Sequence, residues 1–185
     1  MKKTFFAAAL CCMLSIAAFA QAKSADFSGT WTLDVSKSKL DERARIESMT
    51  LTVAQTAKDI KVDTKTTRTP RPEGTDGGGG NRMGGGGRGG FGGGDTSFTY
   101  TLDGKATTIQ QDSPMGQVPV SLTGKLDAGT LNLASSRTFN GPNGEVTATT
   151  KDTWTLSPDG KTLTVNREST SPRGTNSSTM VFVKK

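Results

Sequence analysis

Between Glu145 and Thr170 the chain reads E-V-T-A-T-T-K-D-T-W-T-L-S-P-D-G-K-T-L-T-V-N-R-E-S-T, and this stretch constrains the fold more than any other. Apolar residues alternate with Thr and Lys on both arms, which is the period of a half-buried strand. Pro158-Asp159-Gly160-Lys161 supplies the turn, and an Asp-Gly pair between alternating runs is a strong hairpin signal. Paired residue numbers across such a hairpin sum to a constant, so the register follows. Leu156 faces Leu163, Trp154 faces Val165 and Asp152 faces Arg167 on one side; Lys151 faces Glu168 on the other. A single register satisfies both faces. It also sets an acid–base pair among residues that otherwise look like core.

The rest of the chain repeats this pattern. Phe27 to Val35 alternates, with Phe27, Gly29, Trp31 and Leu33 on one side. Ser36 to Arg45 is polar and Pro-free and is the one candidate helical turn. Ile46 to Gln55 is expected to pair with Asp59 to Arg68. Ser97 to Leu102 is expected to pair with Lys105 to Gln111 through Asp103-Gly104, which places Phe98 opposite Ile109. Val118 to Leu126 pairs with Leu131 to Phe139 through Ala128-Gly129, placing Leu126 opposite Leu131. Phe139 then meets Val146 across Gly141-Pro142-Asn143-Gly144, and Asn176 to Val183 closes the chain after Pro172-Arg173-Gly174. About ten short strands with tight turns and no crossover helix make an antiparallel meander, as a barrel or a sandwich. The second half has no long loop for Greek-key connections, so the expectation is an all-β, up-and-down antiparallel barrel of about 8–10 strands.

The N-terminus reads as a targeting segment. Lys2 and Lys3 precede an apolar run of small residues, and Ala18-Phe19-Ala20 is an A-x-A cleavage signal. The expected organisation is a signal peptide over residues 1–20 and a single barrel domain over 21–185, interrupted by a Gly-rich insertion at 70–95. The destination is then periplasmic or extracellular. Cys11 and Cys12 both lie within the signal segment, so the mature chain has no cysteine and no disulfide. Without Lys2 and Lys3 it carries 21 basic and 17 acidic residues, a net charge of +4. That mild, dispersed charge suits solubility better than nucleic-acid binding. The outward strand positions are Thr, Lys, Asn and Ser rather than an apolar lipid-facing band, so no stable membrane insertion is expected.

Gly74 to Gly94 holds 14 glycines in 21 residues. Arg82, Arg88 and Phe91 give it some flavour of an RNA-touching segment, but two arginines in an exported chain are a thin basis. No Gly-Lys-Ser/Thr follows, so it is not a phosphate loop. A disordered hairpin loop is the expectation. Lengthening a closed loop from four to about 26 residues costs only roughly 1.7 kcal/mol. Ordering twenty residues costs ~20 kcal/mol or more in backbone entropy.

His is absent throughout. With no Cys in the mature chain, the nucleophile–imidazole systems, His or thiolate zinc sites and the usual haem ligands are excluded. Acidic residues sit mostly at turns (Asp103, Asp127, Asp159) and form no convincing glycosidase pair. The chain is therefore read as a non-enzyme, with no catalytic residue, no metal site and no cofactor. In-facing polar residues are the better lead. By the inferred registers Arg137, Asp152 and Arg167 share a face with Leu131, Leu133, Phe139, Trp154 and Val165. Two readings follow. Either Arg137 receives a ligand anion inside the barrel while Asp152 orients Arg167, or the pair is self-satisfied and solvated at the rim. A buried guanidinium needs a ligand, a partner or water. Tyr100 is a further candidate, pointing inward beside Phe98 and Leu102 with a hydroxyl to offer. Trp31 and Trp154 are read as structural plugs of the barrel.

Phe27-Ser28-Gly29-Thr30-Trp31 resembles the opening of lipocalin-like and fatty-acid-binding proteins (calycins), whose first strand begins with a Gly-x-Trp phrase. The ending, T-W-T-L-S-P-D-G-K-T-L-T-V through Met180-Val181-Phe182-Val183-Lys184-Lys185, resembles their last hairpins. F-S-G-T-W-T-L-D-V-S-K-S-K-L is similar to the start of many small exported bacterial proteins described only as lipocalin-like. The resemblance implies a barrel that carries or sequesters a small apolar molecule. Two departures stand against a full carry-over. Fatty-acid binders hold the carboxylate with an Arg-x-Tyr on the last strand, where this chain has Thr179-Met180-Val181-Phe182. Their two-helix lid has no counterpart in the short segment Ser36 to Arg45.

The functional expectation is an exported barrel binding a small hydrophobic, amphipathic or anionic ligand in its interior. The alternative is a structural or adhesive envelope protein that uses its Gly-rich loop and Thr-rich surface for contacts. The oligomeric state is left open.

Overall fold

The computed structural model describes residues 25–41, 44–70, 95–113, 116–141, 144–172 and 174–185. Residues 1–20, expected to be a signal peptide, and nearly all of the Gly-rich insertion lie outside the described residues. Ten antiparallel strands form one sheet: β1 Gly29–Leu33, β2 Ile46–Gln55, β3 Asp59–Arg68, β4 Thr96–Thr101, β5 Asp103–Ser113, β6 Gly116–Asp127, β7 Thr130–Gly141, β8 Gly144–Leu156, β9 Thr162–Ser171 and β10 Gly174–Lys184. Each strand pairs with its sequence neighbour except at β4/β5, and β10 pairs back onto β1. The sheet therefore curls into a nearly closed barrel, the up-and-down architecture that the alternation implies.

The predicted registers hold at β8–β9, where Leu156 faces Leu163, Trp154 faces Val165, Asp152 faces Arg167 and Lys151 faces Glu168. They hold at β6–β7 (Leu126 and Leu131) and β7–β8 (Phe139 and Val146) as well. Phe139 nevertheless stands 40% exposed at the end of its strand, so the buried part of that face stops short of it. Instead of a full helical turn, Val35–Lys37 forms a 3-10 turn. Asp34 caps it, its Oδ1 accepting from the amides of Ser36 and Lys37.

The β4–β5 pairing is the sequence expectation that fails. β4 pairs with β3 and β5 with β6, and no ladder joins β4 to β5. The chain turns a corner there rather than a hairpin. Leu102 N donates to Lys58 O at 2.7 Å, tying the end of β4 to the β2–β3 turn. Asp103 instead pairs with Lys125 on β6, and a bulge follows before Ala106. Phe98 and Ile109 thus both face inward across a seam without facing each other in a ladder. At this seam β4 leans on β6. A Cβ added at Gly124 would lie 2.7 Å from Thr101 O and 2.9 Å from Tyr100 Cβ.

The core fills one end of the barrel. Phe27, Trp31, Ile60, Leu131, Leu163 and Phe182 have no solvent exposure there. The segment before β1 closes this end because Gln55 clamps it. The Gln55 amide accepts from Phe27 N and donates to Ala25 O, both at 2.9 Å. The outer face is largely hydroxylated, and its threonines bond to one another across strands, as in Thr138 with Thr147 (3.0 Å) and Thr170 with Thr175 (3.1 Å). Much of the threonine content is thereby explained by strand propensity and cross-strand pairing.

Candidate binding cavity

Along each strand the inward positions change character from the closed end to the other. On β7 they run Leu131, Leu133, Ser135, Arg137; on β9, Leu163, Val165, Arg167; on β3, Ile60, Val62, Thr64, Thr66. Since side chains alternate with period two, each series lines one wall of the interior. Together they enclose a cavity of about 90 Å³, lined below by Leu51, Trp154, Val165 and Phe182 and above by Thr64, Thr66, Thr96, Gln111, Thr150 and Arg137. Trp154 and the Arg137 level, which pairs with Ala148, are six residues apart along β8. At ~3.3 Å per residue that is about 20 Å of strand. So small a volume over that length makes a narrow shaft.

All four candidate ligand-binding residues line this shaft: Arg137, Asp152, Arg167 and Tyr100. Asp152 and Arg167 form a two-pronged ion pair, with Arg167 Nε donating to Oδ1 and Nη2 to Oδ2, each at 2.7 Å. The side chains are 9% and 28% exposed, so the pair is set into the wall rather than solvated at the rim. Burial by itself would pull the Arg167 pKa down; the Asp152 carboxylate outweighs it, and the net direction is up. Burial lowers the pKa of Arg137, which stays a cation in any case. Tyr100 is buried against Phe98, the rings meeting edge-on at 6.3 Å. Burial first, and then the Asp152 charge, push its pKa upward, with Arg167 opposing. Two guanidinium groups and one carboxylate give the described lining a net charge of +1.

The two tryptophans take different places. Trp31 is fully buried below the cavity, its Nε1 donating to Phe27 O at 2.9 Å and its ring under Lys184. Trp154 forms the cavity floor, with Phe27 edge-on beneath it at 6.2 Å. Sequence reasoning missed Ser135, Thr150, Thr64, Thr66, Thr96 and Gln111. The first four sit at the same parity as neighbours already read as inward, so extending the alternation through Thr and Ser would have found them. Thr96 shares the parity of Phe98, and Gln111 that of Ile109, so the same extension would have found them; the mistaken β4–β5 hairpin altered only their partners. Among the described residues no cluster of three or more His, Cys, Asp or Glu could hold a metal ion. None of their helices is long and apolar enough to cross a membrane.

No protein-family model and no curated protein matches the sequence. Among solved structures, the chain is similar to zebrafish ileal bile acid-binding protein complexed with cholic acid. The identity is 12% and the TM-score 0.47, covering 86% of this chain and 98% of that one. It is also similar to secretory abundant heat soluble protein 4 from Ramazzottius varieornatus, at 14% identity and a TM-score of 0.42, covering 86% and 94%. Strand order and near-closure define the architecture directly. It is a nearly closed, ten-stranded antiparallel up-and-down β-barrel.

Proposed function

We propose that this chain is an exported binding protein that holds a small amphipathic anion in its barrel, apolar end down and charged end toward Arg137. The observation that carries this reading is the change of wall chemistry within one cavity, from Trp154, Val165 and Phe182 at the floor to Arg137, Gln111 and the hydroxyls of Thr64, Thr66, Thr96, Ser135 and Thr150 above. An apolar floor favours a hydrocarbon segment by about 25 cal/mol per Å² removed from water. A net positive lining favours an anion over a cation or a neutral molecule. Size narrows the class further. Pockets for drug-sized ligands run to about 300–1,000 Å³, whereas about 90 Å³ in a narrow shaft suits one unbranched chain and not a fused ring system. Export rests on the basic, apolar and A-x-A pattern of residues 1–20.

Incubating the purified mature chain with an envelope extract, followed by native mass spectrometry, tests this. The expected result is a retained small anionic species. Recovery of bare protein alone, from extracts in which such anions are abundant, contradicts the reading.

A further inference from the structure

Two hydroxyl groups partway down the shaft face its interior without a protein partner. Tyr100 is 7% exposed and Ser135 8% exposed, and both line the cavity. Neither hydroxyl bonds to a protein group among the described residues. Each stays open to a water-sized sphere, unlike the Nε1 of Trp154, which is sealed. Both side chains point inward and are more than nine-tenths buried, so that opening is into the cavity. The registers put them at neighbouring levels. Tyr100 Cβ stands 2.9 Å from where a Cβ on Gly124 would lie, and Gly124 pairs with Leu133. Ser135 is the next inward residue on β7, and Arg137 is the one above it. Trp154 lies below, opposite Leu131. The two hydroxyls therefore sit between the apolar floor and the Arg137 level. Asp152 and Arg167, level with Leu133, already satisfy each other.

We infer that the ligand of this cavity carries a carbonyl or hydroxyl oxygen in the middle of its chain, and that Tyr100 Oη and Ser135 Oγ donate to it. The inference rests on the proposed binding of an amphipathic anion and adds a second polar group between its charge and its apolar end. In an unliganded shaft, water serves these hydroxyls. A chain threading a shaft of about 90 Å³ displaces that water, and a methylene group cannot replace its hydrogen bonds, so affinity falls. An oxygen on the chain at that depth restores them. Tyr100 is suited to donate, because burial first and then the Asp152 charge raise its pKa and keep it neutral. The position follows from the strand. Ser135 stands two residues below Arg137, about 7 Å of strand, which roughly four or five carbon–carbon bonds of ~1.5 Å span in zigzag.

Three probes of equal chain length test this: octanoate, 5-oxooctanoate and 7-oxooctanoate, titrated into the purified mature chain. The 5-oxo acid is expected to bind about tenfold more tightly than either of the others, the worth of restoring a buried hydrogen bond. The 7-oxo acid controls for an oxygen placed at the apolar floor instead. Tyr100 is the only tyrosine, so an isotope label on its Cζ gives one resonance, which should move further with the 5-oxo acid than with octanoate. In the double variant Tyr100→Phe with Ser135→Ala the preference should vanish and octanoate itself should bind more tightly, a gain that a merely structural role would not produce. The comparison of probes in the native chain needs no variant and decides on its own. Equal binding of the three probes, or a 5-oxo preference that survives in the double variant, overturns the inference and leaves the anion-binding reading standing. Failure of all three to bind overturns the inference and the reading together.

Discussion

Asp152 lies two positions from Trp154 on the same wall, and its charge is tolerable there only because Arg167 meets both oxygens at 2.7 Å. Arg167→Leu would strand a carboxylate that is 9% exposed, and stranding one member of a buried pair costs about 3–5 kcal/mol. Denaturant titration should show that loss. The double replacement Asp152→Leu with Arg167→Met removes both charges and should recover most of it, since well-packed apolar substitutes for such pairs are often neutral. Tyr100 reports on the same neighbourhood. It is the only tyrosine, and burial followed by the Asp152 charge raises its pKa above the ordinary 10.0. The unfolded chain therefore releases this proton first. Tyr100 contributes stability that is complete below pH ~10 and is lost as pH rises beyond it. Alkaline titration by phenolate absorbance should give a late transition in the folded chain and an ordinary one in denaturant; an ordinary transition in both would show Tyr100 exposed.

Among the elements, the seam between β4 and β6 depends on one residue. A methyl group at Gly124 meets the Thr101 carbonyl at 2.7 Å, and backbone does not yield as a flexible side chain does. Gly124→Ala should destabilise the fold by about 1–3 kcal/mol, the usual cost of overpacking, with hydrogen exchange rising first in β4. The β6–β7 turn offers the opposite effect. Ala128 holds φ +45° before Gly129 at φ +85°, a two-residue turn that favours Asn-Gly. Left-handed backbone costs an ordinary L-residue about 1–2 kcal/mol. Ala128→Asn should therefore raise the thermal midpoint by the equivalent of about 1 kcal/mol, read by calorimetry. Legibility also differed by element. Strands joined by true two-residue turns, and the β8–β9 arms with their double constraint of core and charge, carried their register in the sequence. The β4–β5 corner did not, because Asp103-Gly104 has hairpin chemistry while the partner that decides the pairing, Lys125, lies across the sheet. Neither was Gly124 legible as a closure point, since its role depends on where β4 arrives in space.

At the scale of the whole molecule, the barrel itself was legible from alternation and turn spacing; the shared face of Arg137, Asp152 and Arg167 followed from the hairpin registers, and Tyr100 was legible separately as an inward residue beside Phe98. What parity could not supply was size. A face of mixed polarity is equally consistent with a solid core and with an open lumen, and only the packing of side chains from opposite strands leaves a shaft of about 90 Å³. The threonines of β3, β4 and β8 were legible as strand formers, and as lining only by extending the alternation from their neighbours, because an inward and an outward threonine have the same local signature. The account stands on that shaft accepting an anionic chain with its charge near Arg137. Isothermal titration of octanoate into the purified mature chain, beside Arg137→Met, tests it most directly. The account predicts one site in the native chain, a negative heat-capacity change on binding, and a loss of affinity of about tenfold or more in Arg137→Met, the worth of a charge-assisted contact. A native chain that takes up no octanoate, or an Arg137→Met chain that folds normally and binds it equally well, would contradict it.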